Sequence, residues 1–219
     1  MISIEHLTYK YPEAEKPAVS DFNLYVDRGE FVVLTGPSGC GKTTLIRLLL
    51  RELKADNGML TVLNDNLIDM KDKDVAMYRR NLGVVFQENR LLEDRSVYEN
   101  IMFVAKVTGM TKKEASDRVI AVMSMMGITD LHNRLPNQLS GGQIQKVCMA
   151  RALMLNPSIL LCDEPTGNLD PTSSVEIMKL LNLIHSNGVT IVMASHDINL
   201  IKQFDVKLVN IEGAGKDGN

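Results

Sequence analysis

The sequence predicts an α/β fold with a mainly parallel core sheet, an antiparallel β-region ahead of that sheet, and a helical region inserted into it. Two observations support this fold class. Short apolar runs typical of buried strands alternate with helical patterns along most of the chain, which favours a parallel sheet. In addition, a glycine-rich loop at 36–43 joins the apolar run at 31–34 directly to a helix that opens at Thr44.

The remaining elements follow from local patterns in chain order. Residues 2–9 and 19–26 show partial alternation of apolar and polar side chains, which we interpret as antiparallel strands. Short apolar runs predict further strands at 58–63, 82–86, 159–162, 189–194 and 206–211. Helical patterns predict helices at 44–50, at 72–80, after 139–142 as far as about 155, at 172–186 and at 197–204.

Residues 96–127 differ from the rest of the chain because they carry no strand pattern. Val97 and Ile101 begin one set of apolar side chains at helical spacing, and Val119 and Val122 begin a second. We therefore predict a mostly helical region between two segments of the sheet. The tail at 213–219 is predicted to be disordered.

Composition excludes several classes of function. The chain of 219 residues has 24 Lys and Arg against 27 Asp and Glu, so it lacks the basic surface expected of a nucleic-acid-binding domain. No apolar run approaches the roughly 18 residues of a transmembrane helix, and the N-terminus lacks a secretion signal, so we expect no direct membrane insertion. Cys40, Cys148 and Cys162 have no metal-ligand spacing, which suits reduced thiols in the cytosol.

The loop at 36–43 matches the phosphate-loop pattern G-x-x-x-x-G-K-[ST] at its fixed positions, Gly36, Gly41, Lys42 and Thr43. Glycines let backbone amides approach a polyphosphate, and the N-terminus of the following helix adds free N–H groups. Lys42 can reach the β- and γ-phosphates, and the Thr43 hydroxyl can ligate Mg²⁺. The alternative is a plain glycine turn, but strand, loop and helix occur in the order that the motif requires.

Four of the predicted strands end on chemically distinctive residues. One ends on the phosphate loop, and the others end on Gln87, on Asp163 and Glu164, and on Ser195 followed by His196. The carboxyl ends of parallel strands share one edge of a sheet, and ligands bind there. Taken singly, a His after a strand is usually structural, and an Asp-Glu pair often caps a helix. Together they predict an amide, two carboxylates and an imidazole beside a bound nucleotide phosphate.

Phosphoryl-transfer chemistry assigns a role to each of these side chains. Asp163 can hold Mg²⁺ with Thr43, directly or through water. Glu164 is the candidate general base for a water that attacks the γ-phosphate. Gln87 can ligate Mg²⁺ and hydrogen-bond the same water, and His196 can donate to the γ-phosphate or position Glu164. Positioning and charge stabilisation then supply most of the catalysis.

A second glycine-led helix start occurs at 139–143, in the stretch LSGGQ. Ser140 can act as an oxygen ligand, and the amides of Gly141 and Gly142 lie at a helix N-terminus, which favours an anion. In isolation, the same residues equally suit an N-cap serine followed by two glycines.

The motifs GPSGCGKT, Gln87, LSGGQ, ILLCDE, GNLD and His196 occur in an order and spacing that resemble the nucleotide-binding domain of ABC ATPases. The resemblance covers residues 1 to about 211. It implies a P-loop NTPase fold, Mg²⁺-dependent hydrolysis of ATP, and one domain at 1–212 whose helical subdomain is 88–140. Tyr11 falls where the family places an aromatic ring that stacks on adenine, with Tyr9 as the less favoured choice. The implied ATP contacts of the phosphate loop are Gly36, Pro37, Ser38, Gly39, Cys40, Gly41, Lys42, Thr43 and Thr44.

The resemblance also implies a head-to-tail homodimer that forms on ATP binding. Ser140, Gly141, Gly142 and Gln143 of one subunit would close on the ATP of the other, and Asp170 lies in the loop that couples the two sites. The helical subdomain would dock on an integral membrane partner.

The stretch EPTGNLD at 164–170 is similar to the FtsE, LolD and MacB group of small ABC ATPases. Within that group, LLEDRSVYENI at 91–101 and SHDINLI at 195–201 look most like the FtsE family. This likeness implies an FtsX-like permease as partner, a peripheral place on the cytoplasmic face of the inner membrane, and ATP-driven signalling that activates peptidoglycan hydrolases in cell division. One departure is Lys146, which stands where the family often has Arg and lacks its planar fork.

Three alternatives stay open at this level. The first is the ATPase subunit of a LolD- or MacB-type lipoprotein-release or efflux transporter, which has the same catalytic residues. The second, an ABC protein that acts on nucleic acid or ribosomes, is disfavoured by the acidic charge and by the lack of a second ATPase domain, a coiled-coil insert or zinc modules. The third, a scaffold that binds nucleotide without hydrolysis, conflicts with the intact Glu164 and His196.

Overall fold

The computed structural model describes residues 1–211, and the predicted tail at 213–219 lies outside the described residues. The strands of the described part are, in chain order, β1 (Ile2–Tyr9), β2 (Val19–Val26), β3 (Phe31–Thr35), β4 (Asn57–Val62), β5 (Asp65–Asn66), β6 (Leu82–Val85), β7 (Ile159–Asp163), β8 (Thr190–Ala194) and β9 (Lys207–Asn210). The α-helices are α1 (Lys42–Leu49), α2 (Asp72–Arg79), α3 (Val97–Thr108), α4 (Lys112–Met125), α5 (Gly141–Ala152), α6 (Pro171–Ser186) and α7 (Ile198–Ile201). Within these described residues, no helix combines the length and apolar character needed to span a membrane.

The strands form one parallel and one antiparallel sheet, which confirms the predicted architecture. The parallel sheet has the order β6-β7-β8-β3-β9, and the antiparallel sheet has the order β2-β1-β4-β5. Because β4 follows the phosphate loop, the antiparallel sheet is built from segments on both sides of that loop. The polar turn predicted after β4 instead contains β5, which pairs with β4 across a tight hairpin. Backbone pairing of this kind does not depend on side-chain polarity. The polar side chains of this segment therefore predicted a turn, although its backbone forms a strand.

The central strands β3, β7 and β8 are buried along their whole length. Successive side chains of a strand point to opposite faces, and the two faces of β3 join different hydrophobic clusters. Val33 belongs to the cluster that contains α3, α4, α5 and α6, whereas Val32 and Leu34 belong to the cluster with α1 and the antiparallel sheet. Layers on both faces explain why these strands appear in the sequence as continuous apolar runs.

The predicted helical region contains α3 and α4, and both helices begin with reciprocal capping boxes. Ser96 and Glu99 cap α3, and Thr111 and Glu114 cap α4. α5 packs on both helices and also contacts β6 and α6. The helical layer therefore includes residues beyond 140, while the subdomain boundary itself stays a prediction.

Several helix bounds differ from the prediction by one to three residues, among them those of α1 and α7. α1 begins at Lys42 rather than Thr44, because Gly41 serves as its N-cap. The first helical turn, with its N–H groups that have no partner within the helix, therefore belongs to the phosphate-loop motif. α7 ends at Ile201, earlier than predicted, but its predicted cap is confirmed, since Asp197 Oδ1 accepts from the Leu200 N–H at 3.0 Å.

Candidate active site

The carboxyl ends of β3, β6, β7 and β8 meet at one edge of the parallel sheet, beside a cavity of ≈ 540 Å³. The carboxyl ends of parallel strands share one edge of a sheet, and this strand-end rule explains why residues far apart in the chain lie together. The predicted residues that line the cavity are Tyr11, Ser38, Gly39, Gly41, Lys42, Thr43, Thr44, Gln87, Glu164 and His196.

The phosphate loop needs glycine at two positions. Gly41 has a φ of 103°, and a Cβ there would lie 2.3 Å from the Ala18 carbonyl oxygen. Gly36 has a φ of 142°, and a Cβ there would lie 2.6 Å from the Ile211 carbonyl oxygen. Both distances are too short for a Cβ atom, so only glycine at these two positions allows the loop backbone to lie this close to its neighbours.

The Lys42 side chain lies against the phosphate loop rather than in solvent. Its Nζ donates hydrogen bonds to the carbonyl oxygens of Gly36 at 2.8 Å and Pro37 at 3.0 Å. Lys42 is 7% exposed and lines the cavity. An ammonium group is therefore held beside the N-terminus of α1, where helix N–H groups already favour an anion.

Asp163, the last residue of β7, contacts the first turn of α1. The Thr43 hydroxyl donates to Asp163 Oδ1 at 3.0 Å. Burial raises the pKa of Asp163 above its ordinary value, while the Thr43 hydrogen bond and the charge of Lys42 oppose this rise and the charge of Glu164 adds to it. A hydroxyl and a carboxylate this close form the oxygen set that Mg²⁺ uses together with phosphates and water, so these residues fit the predicted ion.

Asp163→Asn is expected to raise the melting temperature of the protein without ligand by about 2 °C at neutral to alkaline pH. Because the pKa of Asp163 is raised, the folded state binds this proton more readily than the unfolded chain does. Ionised Asp163 therefore lowers the free energy of unfolding. This destabilisation disappears as the pH falls from the raised pKa to the ordinary carboxyl pKa, because the carboxyl group becomes protonated.

Scanning calorimetry across that pH range checks the expectation, and the gain of Asp163→Asn should shrink in acid. Asp117→Asn, which changes an exposed carboxylate on α4, is the control and should leave the melting temperature unchanged. A lower melting temperature for Asp163→Asn at neutral pH would contradict the argument.

Glu164 and His196 form a hydrogen-bonded pair. His196 Nδ1 lies 2.9 Å from Glu164 Oε2. The Glu164 side chain is 12% exposed, whereas that of His196 is 65% exposed. Because a carboxylate only accepts, Nδ1 carries the proton and donates, which leaves Nε2 for another partner. Of the two roles predicted for His196, this contact supports the positioning of Glu164.

The backbone at Glu164 is in the left-handed region, with a φ of 47°. Its N–H donates to the Ala194 carbonyl oxygen at 3.0 Å, which ties the residue after β7 to the end of β8. A non-glycine residue in this region is uncommon, and such backbone strain concentrates at functional positions.

Gln87 follows β6, at the start of a loop that is tied to α5. Arg151 donates to the Arg90 carbonyl oxygen at 2.7 Å and to the Asn89 carbonyl oxygen at 2.9 Å. These bonds attach the loop after Gln87 to the helix that begins at LSGGQ. The sequence analysis did not identify Arg151. The only feature of the sequence that could have pointed to it is its position as a basic side chain in the last turn of a predicted helix.

Tyr11 lies after β1 and lines the cavity, whereas Tyr9 is buried in the antiparallel sheet. The two rings make an edge contact, with centroids 5.0 Å apart and planes at 84°. This placement supports Tyr11 rather than Tyr9 as the ring that could stack on a base.

The LSGGQ residues and Asp170 do not line this cavity. Ser140 and Gln143 form the capping box of α5, and Asp170 caps α6 by accepting from the Ser173 N–H at 3.0 Å. The two helix starts adjoin, since a Cβ on Gly142 would lie 3.0 Å from Ser173 Oγ. The second glycine-led helix start, which also includes Gly141, therefore lies outside the cavity formed by the phosphate loop of the same chain.

Gly36, Pro37 and Cys40 belong to the phosphate loop but do not line its main cavity. Gly36 and Pro37 border a neighbouring cavity of ≈ 700 Å³, together with His196 and Asn210. Asn210 was missed in the sequence. The strand-end rule would have found it, because β9 is parallel to β3 and ends at the same edge.

Comparisons with known proteins agree with this geometry. A family model described as ABC transporter matches residues 19–167. The chain is 42% identical to the cell division ATP-binding protein FtsE of Streptococcus pneumoniae, over 97% of this chain and 92% of the relative. It is 41% identical to FtsE of Mycobacterium tuberculosis, over 96% of this chain and 92% of the relative. Among solved structures, it resembles a dimeric ATP-binding cassette in a post-hydrolysis state bound to ADP and Pi, with a TM-score of 0.86, 33% identity, and coverage of 97% of this chain and 94% of the other.

Proposed function

Because this chain belongs to the ABC transporter family of ATPases, we propose that it is the ATP-hydrolysing subunit of an FtsEX-like membrane complex. ATP binding and hydrolysis in this subunit drive a signal across the membrane that activates peptidoglycan hydrolases in cell division. Relatives named FtsE, at 36% identity in Escherichia coli and 42% in Streptococcus pneumoniae, match nearly the whole chain and support the choice of subgroup.

The observation that carries the proposal is the meeting of Lys42, Thr43, Asp163, Glu164 and His196 at one sheet edge. A cation, a hydroxyl, two carboxylates and an imidazole beside a helix N-terminus meet the needs of phosphoryl transfer to water. Thr43 and Asp163, with Gln87, would hold Mg²⁺, which supplies charge neutralisation at the phosphates when bound.

In the reaction, Lys42 and the first-turn N–H groups of α1 bind the β- and γ-phosphates. Glu164 accepts a proton from a water molecule as the water oxygen bonds to the γ-phosphorus. The bond from that phosphorus to the β–γ bridging oxygen breaks, and its electron pair leaves with ADP. His196, hydrogen-bonded to Glu164, holds the carboxylate in position during this step.

The position of LSGGQ supports a head-to-tail dimer. Ser140, Gly141 and Gly142 lie at a helix start outside the cavity of their own chain, so they are available to the ATP of a second subunit. The similar cassette of known structure is itself dimeric. Asp170, at the adjoining start of α6, then lies where it can couple the two sites.

The membrane partner of the subunit is a permease, and we assign an FtsX-like permease to that role. The subunit is peripheral on the cytoplasmic face of the inner membrane and is held there by the permease. The relatives named FtsE support this arrangement.

Affinity capture from native membranes with the Glu164→Gln protein and ATP tests the subgroup. The amide keeps the size of the side chain but cannot take the proton, so the ATP-bound complex should persist through purification. We expect mass spectrometry to identify an FtsX-like permease with a large extracytoplasmic loop, together with division or hydrolase proteins. Capture without ATP gives the background. Recovery of a lipoprotein-release or efflux permease would instead identify the chain as a LolD- or MacB-type exporter ATPase.

A further inference from the structure

A chain of hydrogen bonds joins α1 to Tyr11, which lines the cavity. Arg47 Nη1 donates to the Tyr11 hydroxyl at 3.4 Å, and that hydroxyl lies 3.2 Å from Thr44 Oγ1. Thr44 and Arg47 lie on the same face of α1, since they are separated by an i, i+3 step. Arg47 is itself held by Glu52, whose Oε2 accepts from Nε at 3.3 Å.

The chemistry of the three groups sets the direction of the Arg47 bond and allows two directions for the bond between the hydroxyls. A guanidinium only donates, so the Tyr11 oxygen accepts from Arg47. Either hydroxyl can donate in the contact between Tyr11 and Thr44. When the Tyr11 O–H donates to Thr44 Oγ1, the Thr44 hydroxyl keeps its own proton for a further acceptor. Thr44 is 7% exposed and lines the cavity, so a ligand in the cavity can supply that acceptor.

Thr44 lies beside two other residues that line the cavity, Thr43 and Tyr11. Its neighbour Thr43 contacts Asp163, where the proposed function places Mg²⁺ and the terminal phosphates. Tyr11, whose hydroxyl lies 3.2 Å from Thr44 Oγ1, lines the same cavity and is the ring that could stack on the base. The phosphate within reach of Thr44 is therefore the α-phosphate, which is nearest the nucleoside.

We propose that Arg47 is a positioning residue for ATP, which acts through Tyr11 to direct the Thr44 hydroxyl proton at the α-phosphate. Tyr11 then has two functions. Its ring stacks on the base, while its hydroxyl accepts a hydrogen bond from Arg47 and donates one to Thr44. The buried Tyr9 supports this geometry, since its edge contact at 5.0 Å restricts the Tyr11 ring. The inference rests on the proposed ATPase function and adds Arg47 to the residues that serve it.

Tyr11→Phe separates the two functions of Tyr11, because it keeps the ring and removes the hydroxyl. We expect ATP to bind about five- to tenfold more weakly, as measured by isothermal titration calorimetry. Arg47→Met should cause a loss of similar size. The double variant should bind ATP no more weakly than the weaker-binding single variant. Both substitutions break the same relay, which is the chain of hydrogen bonds from Arg47 through Tyr11 to Thr44. KM for ATP should rise by the same factor with kcat close to that of the wild type, because the contact is made equally in the ground and transition states.

An ATP analogue with sulfur in place of a non-bridging α-phosphate oxygen gives a readout that a merely structural role of Arg47 would not change. Sulfur is a weaker acceptor, so the wild type should bind the analogue more weakly than ATP, and Arg47→Met and Tyr11→Phe should both show a smaller difference. Arg80→Met, which changes an exposed arginine at the end of α2, is the matched control and should bind both nucleotides as the wild type does.

Wild-type ATP affinity in Tyr11→Phe would overturn the relay, and so would losses that simply add in the double variant. The relay can fail in this way while ATP binding stays sensitive to Lys42→Ala, which would leave the proposed function standing. If the wild type itself did not bind ATP, both the relay and the proposed function would be overturned.

Discussion

Lys42→Ala is expected to weaken ATP binding by about 100-fold, which corresponds to about 2.8 kcal/mol. The substitution removes the ammonium group that is held beside the N-terminus of α1, and phosphate oxygens lose a charged donor. A hydrogen bond to a charged group contributes about 1.5–3 kcal/mol, so the loss of one such contact from the terminal phosphates accounts for an effect of this size. Isothermal titration calorimetry with ATP and Mg²⁺ measures it directly.

Lys207→Ala is the matched control for this loss. Lys207 also makes hydrogen bonds through Nζ, to Glu30 and to the Tyr25 carbonyl oxygen, but it lies at the start of β9, at the opposite end of that strand from the cavity. It should bind ATP with wild-type affinity. A thermal melt of each variant checks folding, and wild-type affinity in folded Lys42→Ala would show that the phosphate loop is not the binding site.

Glu164→Gln is expected to reduce kcat for ATP hydrolysis by about 10²- to 10⁴-fold, with little change in KM. The amide can still accept a hydrogen bond from His196, so the local geometry should survive, but it cannot take the proton of the attacking water. ATP then stays bound, and the ATP-bound dimer should accumulate. Steady-state phosphate release gives the rate, and size-exclusion chromatography with ATP gives the oligomeric state.

Glu176→Gln provides the comparison for this variant. Glu176 is a carboxylate on α6 that pairs with Lys146 at 2.9 Å, outside the cavity. Its loss should leave turnover unchanged and should not trap a dimer. Undiminished turnover in Glu164→Gln would exclude Glu164 as the general base and would point to another group at the sheet edge.

The central strands and the residues that follow them were predictable because both signals are local. β3, β7 and β8 are covered on both faces, so nearly every residue in them is apolar and each run is visible without any knowledge of its partners. The polar residues come immediately after these runs, and one rule for parallel sheets places them together. That rule brings Asp163 to the edge of the sheet where the phosphate loop lies, and the structure shows its contact with Thr43 there.

Short-range patterns failed where backbone pairing or distant packing decides the structure. β5 has the composition of a turn and becomes a strand only because β4 lies beside it. Arg151 looks like an ordinary basic residue near a helix end, and its role appears only when the loop after Gln87 folds back on α5. In both cases the partner comes from another segment, and no pattern within one segment records it.

The sequence by itself determined the residue types of the site, the order of strands and helices, and the likeness to a family, because motif spacing and hydrophobic periodicity depend on near neighbours along the chain. Only the tertiary structure decided which side chains touch. It paired His196 with Glu164, separated LSGGQ from the cavity of its own chain, and aligned Arg47, Tyr11 and Thr44. The physical reason is that these contacts depend on how the packed layers fix whole elements relative to one another, to within a hydrogen-bond length. Local sequence preferences do not carry that information.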